Sequence, residues 1–492
     1  MAVCWRRARI RSEWTRSTIV PFSVTDGSRS HHYCRQSTIM IRVGIGADVS
    51  ATEWAEGENT MERRLWGRCT VSVAFVAVAA LAVVGCAAGG SPSNGGTTTV
   101  TYWTHVNAPA QEVERALIAQ YEDEHPDVRI EYLPIEFGTM ATKLNAAIAA
   151  GGGPDLVNYF QSYAAGLTAK GYLAPVDHEA YGATAEELSG HYTEAISAGF
   201  SVEGDFIGIP HEISTYQFWV NDQHFANAGL DPQEDFPKTW ADVAAVGAQL
   251  QGAPNGPVEG VALSLNNQVR DVLVLDAMTR QAGGSLFSPD GRDSFVDSPE
   301  AVRALQTWGD LANEYGVNDP ALGPTASTNA EDLFGDGTAA MVNTGGSWFI
   351  PTLEDTYPDI EWTVGQYPTF GGEDIGADLY GYGLYVPVTS SQQEAAWEFA
   401  RFLADASPTY FSEAGIWLGD NDVLSDEATA TVPNWDVFVE GFERGNFLPP
   451  LSQYNEISQI LESAIQRVVV NGEDAQSVLD AAQAAIEPLL DK

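Results

Sequence analysis

Residues 100–159 alternate short apolar runs with longer amphipathic ones, and this alternation constrains the fold more than any other feature of the sequence. Strands are predicted at 100–103, 128–135 and 156–159. Between them the spacing predicts two helices, the first opened by Pro109 and the second capped by Thr139 and ended by the glycines at 151–153. A βαβαβ order of this kind implies a parallel sheet with right-handed crossovers.

Predicted strands and helices also alternate in the rest of the chain, so we expect an α/β protein. Further strands are predicted at 216–220, 261–265, 339–343 and 380–386. Further helices are predicted at 240–250 (capped by Thr239), 299–315, 392–403, 455–470 and 473–490. Pro210 forbids a helix at its own position and favours an extended segment there. A length of 492 residues allows two or three sizeable cores.

Charge and cysteine content exclude several classes of function. The chain has 24 basic and 67 acidic residues, a formal charge of −43, which disfavours nucleic acid and anionic lipid as partners. The cysteines are Cys4, Cys34, Cys69 and Cys86. Because none follows Cys86, the body of the protein can hold neither a disulfide framework nor a thiolate metal site. We expect no metal and no cofactor.

Residues 61–97 predict an export signal and a tether. Arginines at 63, 64 and 68 precede an apolar run at 71–84, which is too short to span a bilayer but suits a secretory signal. The segment Val83-Val84-Gly85-Cys86 resembles the lipobox of bacterial lipoproteins, which implies acylation of Cys86. The alternative is an ordinary cleavable signal with an incidental cysteine. We expect a signal peptide at 61–85, a flexible tether at 86–97, and translation from Met61, so that 1–60 are not made.

Aromatic and short polar side chains follow the predicted strands. In open parallel sheets ligands bind beyond the carboxyl ends of the strands. The residues at those ends are Trp103, His105, Glu136, Phe137, Tyr159, Gln161, Asn266, Gly346 and Trp348. Flat rings that stack on sugar C–H faces, combined with polar groups for the hydroxyls, indicate a carbohydrate ligand. Packing of single rings in the core is the competing interpretation.

Several segments in order resemble the extracellular solute-binding family of ABC importers, in its carbohydrate-binding branch. The segments include GGGPDLVNYF (151–160), PKTWADV (237–243), LFGDGTAAMVNTGGSW (333–348) and GYGLYVPVTSSQQEAAWEFARFLAD (381–405). The resemblance covers about residues 98–490. It implies two α/β lobes joined by crossing strands around a ligand cleft, one formed by 98–212 plus 368–415 and the other by 213–367 plus 416–492. It assigns ligand contacts to Trp103, Glu136, Tyr159, Ser214, Tyr216, Trp348, Tyr382 and Tyr454.

The resemblance also implies a function and partners. The chain is expected to be a monomeric lipoprotein, not an enzyme, anchored on the extracellular face of the cell membrane by lipid alone. It would capture a sugar or oligosaccharide and deliver it to the transmembrane subunits of an ABC permease.

Rival interpretations are a secreted glycoside hydrolase, a binding protein for a polyol phosphate or peptide, and a structural envelope protein. A hydrolase needs two carboxylates across a cleft, and the strand ends supply one, Glu136. His211-Glu212 begins like a zinc-protease motif, but Thr215 stands where the second histidine is required.

Overall fold

A computed structural model of the protein describes residues 97–202, 204–265, 267–322, 329–372, 375–421, 423 and 432–490. The predicted signal peptide, Cys86, nearly all of the tether and Asn266 lie outside these residues. The expectations about translation, export and lipidation therefore remain predictions from sequence.

Two separate sheets organise the described residues. The strands are β1 (Thr98–His105), β2 (Val128–Ile135), β3 (Leu156–Phe160), β4 (Ser201–Val202), β5 (Asp205–Phe206), β6 (Ile209–Thr215), β7 (Phe218–Asn221), β8 (Met341–Val342), β9 (Trp362–Gly365) and β10 (Leu379–Tyr385). The first sheet has the order β2-β1-β3-β10-β6 and the second β8-β7-β9, while β4 and β5 form a small hairpin. In the first sheet β1 pairs in parallel with β2 and β3, as the βαβαβ pattern predicts. Strand β10 runs antiparallel to both β3 and β6.

Helices cover both sheets. They are α1 (Ala108–Glu124), α2 (Phe137–Ala149), α3 (Gln161–Ala169), α4 (His178–Tyr181), α5 (Ala185–His191), α6 (Glu194–Gly199), α7 (Asp222–Ala228), α8 (Trp240–Gln251), α9 (Gln268–Gln281), α10 (Pro299–Asn313), α11 (Ala330–Gly335), α12 (Phe349–Thr356), α13 (Gln393–Asp405), α14 (Ser407–Ala414), α15 (Trp435–Arg444), α16 (Tyr454–Val469) and α17 (Ala475–Ile486). The described residues also include two short 3₁₀ turns, Pro320–Leu322 and Glu487–Leu489. No helix among the described residues is both long and apolar enough to cross a bilayer.

The helix ends show which local signals decided the boundaries. Thr239 caps α8 in a reciprocal capping box with Asp242, as predicted. The prediction that Thr139 caps the second helix is wrong, because α2 begins at Phe137 and Glu136 occupies the cap position. The hydroxyl of Thr139 instead donates to the Glu136 carbonyl, 3.1 Å away.

Of two strands predicted in this part of the chain, at 261–265 and 339–343, one is absent and the other is shorter than its apolar run. Residues 261–265 form no strand, and only Ala262 makes an isolated bridge, to Val342. The run at 339–343 contributes only Met341–Val342. Both runs are deeply buried, and burial favours an apolar sequence whether or not a ladder forms.

The chain crosses between the two sheets twice, and the crossings involve β6 and β10 of the first sheet. Strand β6 of the first sheet ends at Thr215, and β7 of the second begins three residues later at Phe218. The return crossing runs from β9 to β10. The result is an α/β fold of two lobes, one built on each sheet, with β6 and β10 as the crossing strands.

Candidate functional site

The carboxylate of Glu212 is the centre of a buried polar cluster where β1 ends beside the crossing strands. His105, the last residue of β1, places its Nε2 3.0 Å from both oxygens of this carboxylate. Asn158 of β3 donates to one oxygen at 2.7 Å, and Asn107 donates to the other at 3.4 Å. Tyr382 of β10 stacks on the His105 ring, with 4.0 Å between ring centroids. These five residues are called the Glu212 cluster below.

Glu212 occupies a strained backbone position in β6. Opposite it, the pairing with β10 shifts between Gly381 and Tyr382, so that these residues face Ile213 and His211 and Glu212 is left out of the register. Its φ of 65° lies in the left-handed region, which costs a residue with a side chain about 1–2 kcal/mol. A bulge re-aims the side chain that it carries, and such strain persists where surrounding contacts enforce it. Here the bulge presents the Glu212 carboxylate to His105 and Asn158.

The charges of Glu212 and His105 stabilise each other. Burial alone would raise the pKa of the Glu212 carboxyl, but the charge of His105 and its hydrogen bond outweigh burial and hold the pKa below its usual range. Burial alone would lower the pKa of His105, and the Glu212 carboxylate outweighs burial and raises that pKa. Both shifts favour the charged form of the group concerned, and the two charges have opposite signs.

A second group of side chains surrounds Trp348, and we call it the Trp348 cluster: Trp348, Tyr380, Tyr216, Arg270 and Glu331. The indole N–H of Trp348 donates to the Tyr380 hydroxyl at 2.6 Å. The Tyr380 ring in turn lies 4.7 Å from that of Tyr216. The Arg270 guanidinium sits 5.6 Å from the centre of the Trp348 ring and is paired with Glu331, with a nitrogen 2.6 Å from a carboxylate oxygen.

Gly346 explains how Trp348 reaches this position. A Cβ at Gly346 would lie 2.2 Å from the Ser214 Oγ and 2.7 Å from the Trp348 Nε1, far inside contact distance. The glycine therefore lets two other predicted site residues, Ser214 and Trp348, approach each other. Ser214 itself is buried beside the crossing.

Strand β10 connects the two clusters. Tyr380 belongs to the Trp348 cluster and Tyr382 to the Glu212 cluster, and alternate residues of a strand point to the same side. Burial is the main cause that raises the pKa of the Tyr382 phenol, and both Glu212 and Arg270 act on it as charges, so it lies within electrostatic range of the two clusters. Rings continue from here, since Phe160 lies 5.4 Å from Tyr382 and 5.7 Å from Tyr163.

The remaining predicted residues lie in different surroundings. Phe137 contacts Tyr382 at 6.2 Å between centroids and so borders the Glu212 cluster. Glu136 is exposed just before α2. Gln161 is 5% exposed, and its amide N–H donates to the carbonyl of Gly199 at 2.9 Å, so its side chain is held inside the first lobe.

Trp103, Tyr159 and Trp348, which the sequence assigns to one ligand cleft, pack against different neighbours. Trp103 packs against the core of the first sheet and makes no ring contact with Tyr159 or Trp348. Tyr159 is 3% exposed and stands 6.0 Å from Tyr163 on the flank of the first lobe. Tyr454 opens α16 and lies 5.4 Å from Tyr163. Of Trp103, Tyr159 and Trp348, only Trp348 belongs to a cluster described above.

Sequence reasoning missed several residues of both clusters. Asn158 is an amide within a wholly buried strand, and that position was an available signal. Arg270 lies in the first turn of α9, a helix that the sequence did not reveal because most of its residues are buried on all sides. Glu212 was considered only as part of an incomplete zinc motif. Among the described residues no group of three or more His, Cys, Asp or Glu side chains is placed to hold a metal ion.

Comparison with known proteins agrees with this architecture. The arabinooligosaccharide-binding protein of Bacillus subtilis (strain 168) is 24% identical over 343 residues, covering 65% of this chain and 72% of that protein. A solute-binding protein from Thermotoga lettingae TMO, bound with alpha-D-tagatose, has a TM-score of 0.70 and 24% identity and covers 80% of this chain and 100% of that chain. UgpB from Mycobacterium tuberculosis in complex with glycerophosphocholine has a TM-score of 0.69 and 17% identity, covering 80% and 99%.

These structural likenesses establish the two-lobe fold of periplasmic binding proteins. The family model for the bacterial extracellular solute-binding protein matches residues 107–409, more than half of the chain. The protein belongs to the family of bacterial extracellular solute-binding proteins.

Proposed function

We propose that this protein is the substrate-binding lipoprotein of an ABC importer and that it captures an uncharged sugar or oligosaccharide. The observation that carries the proposal is the charge pairing of the site. Each charge in the two clusters has an opposite partner: His105 with Glu212, and Arg270 with Glu331. Around these pairs lie aromatic rings and amides, which suit a polyhydroxylated ligand.

The same pairing disfavours phosphate ligands. A phosphate or phosphodiester needs an arginine or helix amino terminus that is free to donate to it. Arg270 is the cation of the Trp348 cluster, and its guanidinium already contacts both carboxylate oxygens of Glu331, at 2.6 and 2.7 Å. An anionic ligand would have to displace Glu331, which is 5% exposed.

The pKa of Glu212 does not suit this residue to act as the acid of a glycoside hydrolase. A hydrolase needs one carboxyl group that stays protonated near neutral pH, so its pKa must be raised. The pKa of Glu212 is shifted the opposite way by His105, despite burial. Glu212 is therefore suited to accept hydrogen bonds from hydroxyl groups and not to donate a proton.

In the proposed mechanism the ligand acts on the crossing strands directly. Glu212 lies on β6, and Tyr380 and Tyr382 lie on β10, so a sugar held by these residues contacts both crossings between the lobes. We propose that the first lobe comprises 98–212 and 368–415 and the second 213–367 and 416–492, and that the lobes close on the sugar. Closure is favoured only to the extent that the sugar binds the closed form more tightly. The closed form would then dock on the permease.

The test is a thermal-shift screen of the full chain against neutral mono- and oligosaccharides, glycerol phosphate and glycerophosphocholine. A ligand at a hundred times its Kd adds about 2.7 kcal/mol of stability, which raises the Tm measurably. We expect a shift with a sugar and none with either phosphate compound. Stabilisation by a phosphate compound alone, or hydrolysis of a chromogenic glycoside, would refute the proposal.

A further inference from the structure

Helix α1 carries a buried acid, Glu114, that the proposed mechanism does not use. Its side chain is fully buried. The Tyr102 hydroxyl of β1 donates to one of its carboxylate oxygens at 2.6 Å, and the Tyr132 hydroxyl of β2 donates to the other at 2.5 Å. Both donors are neutral phenols, whereas a buried carboxylate is usually paired with a cation. Among the described residues, Glu114 therefore has no hydrogen-bonded cation.

Polar contacts lead from Glu114 to the Glu212 cluster. Tyr102, which donates to Glu114, also interacts with the Thr104 hydroxyl. That hydroxyl accepts a hydrogen bond from the Asn158 amide at 3.4 Å, and the same amide donates to the Glu212 carboxylate at 2.7 Å. The acid on α1 is thus joined through β1 and β3 to the carboxylate on the crossing strand β6.

The surroundings of Glu114 supply titratable groups from several elements. They are Tyr102 and His105 of β1, Tyr132 of β2, His211 and Glu212 of β6, Tyr410 of α14, and Arg115 of α1, whose guanidinium lies over the Tyr132 ring. From α13 the apolar ring of Phe399 packs against Tyr102. Burial is the main cause that raises the pKa of Glu114 to about 7, and repulsion from Glu212 acts in the same direction.

The charge on Glu114 also acts on the site. An ionised Glu114 repels the Glu212 carboxylate and favours the protonated form of His105. Solvent in the cleft screens the repulsion between the two carboxylates, and a ligand that displaces solvent weakens this screening. A filled site therefore makes the ionised form of Glu114 less favourable. By linkage, the chain with a protonated Glu114 binds the ligand more tightly.

We propose that Glu114 is a proton-operated switch for the binding site, whose carboxyl form favours ligand binding and whose carboxylate form opposes it. The proposal rests on the proposed function, since the ligand displaces solvent from the cleft. The proton comes from water at the surface, which the half-buried Tyr132 connects to the interior. When Glu114 is protonated, the Tyr132 hydroxyl can turn to accept from the carboxyl group instead of donating to it.

Nuclear magnetic resonance of the full chain with labelled histidine tests the switch without a ligand. The His105 signal is identified by its loss in His105→Gln. In Glu114→Gln, which is the shape of the protonated acid without its charge, the pKa of His105 should fall by about half a unit or more. Glu112→Gln is the matched control, because it removes an exposed carboxylate from the same helix. An unchanged His105 titration in Glu114→Gln overturns the proposal.

Calorimetry with maltotriose and arabinotriose tests the effect on binding. For the sugar that binds, affinity in the unmodified chain and in Glu112→Gln should be about threefold weaker at about pH 8.5 than at about pH 6, which corresponds to half a pKa unit. Glu114→Gln should lose this factor. Tyr132→Phe removes one hydrogen bond that favours the carboxylate, so the midpoint of its pH dependence should move to higher pH.

A merely structural role for Glu114 would change affinity by the same factor at every pH. Equal pH dependence in Glu114→Gln and the unmodified chain, or an unmoved midpoint in Tyr132→Phe, overturns the switch and leaves the proposed function standing. If neither these trisaccharides nor any sugar of the thermal-shift screen binds the unmodified chain, the proposed function fails and the switch fails with it.

Discussion

His105 Nε2 lies 3.0 Å from both carboxylate oxygens of Glu212, although 107 positions separate the two residues in the chain. The contact joins the end of β1 to the strand that crosses between the lobes. Both side chains are less than a tenth exposed, so solvent does little to replace either partner. The pair therefore couples stability to the geometry of the site.

The first prediction concerns this pair. Glu212→Gln should lower the free energy of unfolding by about 1.5–3 kcal/mol, the usual value of a hydrogen bond to a charged group. His105→Gln should do the same. Because the two side chains interact, the double variant should lose less than the sum of the single losses, as urea unfolding of all four proteins would show. Additive losses would mean that the two groups do not interact.

The second prediction concerns the stacking surface. Trp348→Ala should weaken sugar binding by at least about tenfold, or 1.4 kcal/mol, while the far-ultraviolet circular dichroism spectrum stays the same. Trp348→Phe keeps a ring but loses the hydrogen bond to Tyr380. Its affinity for sugar should therefore lie between those of the unmodified chain and Trp348→Ala. Tyr315→Ala is the control, since that ring is 52% exposed. Normal affinity in Trp348→Ala would remove Trp348 from the site.

The third prediction tests charge pairing. Glu331→Gln removes the carboxylate that occupies the Arg270 guanidinium and leaves a cation in the Trp348 cluster. This variant should gain measurable affinity for glycerol phosphate, which calorimetry can detect, while the unmodified chain should show none. If glycerol phosphate binds the unmodified chain as tightly as it binds the variant, then Glu331 does not set the charge preference.

The fourth prediction concerns pH. His211 is fully buried and both its ring nitrogens lack a partner; burial is the main cause that lowers its pKa to about 4. Between pH 6.5 and 4 the unfolded chain binds a proton that the folded chain does not, so stability falls as the pH falls through this window. His211→Phe keeps the ring that packs against Tyr410 and abolishes this loss.

Relative to the unmodified chain, His211→Phe should therefore be about 2 kcal/mol more favourable at pH 5 than at pH 7. Comparison between the two proteins is essential, because burial raises the pKa of Glu114 to about 7 and this group acts in the opposite direction. Urea midpoints at the two pH values give the difference. An effect of equal size at both values would contradict the assignment.

The fifth prediction concerns the membrane anchor. Cys86→Ala should move the protein from the membrane fraction to the medium and abolish incorporation of labelled fatty acid. The reason is that a thioether-linked lipid at Cys86 would be the only anchor expected from the sequence. Cys69→Ala, within the predicted signal segment, is the matched control and should leave the protein on the membrane. Membrane retention of Cys86→Ala would contradict lipidation there.

Some of these features were readable from the sequence because they depend on local patterns. Strand β2 has the predicted bounds, and α8 begins at its predicted cap, since alternation and capping act over a few residues. Helix α9 was not readable, because a helix buried on all sides shows no polar face. Because Arg270 lies on this helix, it was not predicted as a site residue either.

The Glu212 cluster could not be predicted from the sequence, for a different reason. A positive φ at a residue with a side chain leaves no trace in local composition, since glycine is the residue that usually marks it. The bulge depends on the register between β6 and β10, strands far apart in the chain. By contrast Trp348 could be found, because Gly345 and Gly346 precede it and a strand was predicted just before them.

Under the proposed function, the bulge at Glu212 would make one position serve both ligand recognition and the closure of the lobes. In that case, replacing this side chain to suit a different ligand would also change the backbone geometry of β6, and with it the proposed closure of the lobes. Glycine at position 212 would relieve the backbone strain and, in the same substitution, remove the carboxylate. The proposed function therefore predicts that changes in ligand specificity spare position 212 and proceed through the rings and amides around it.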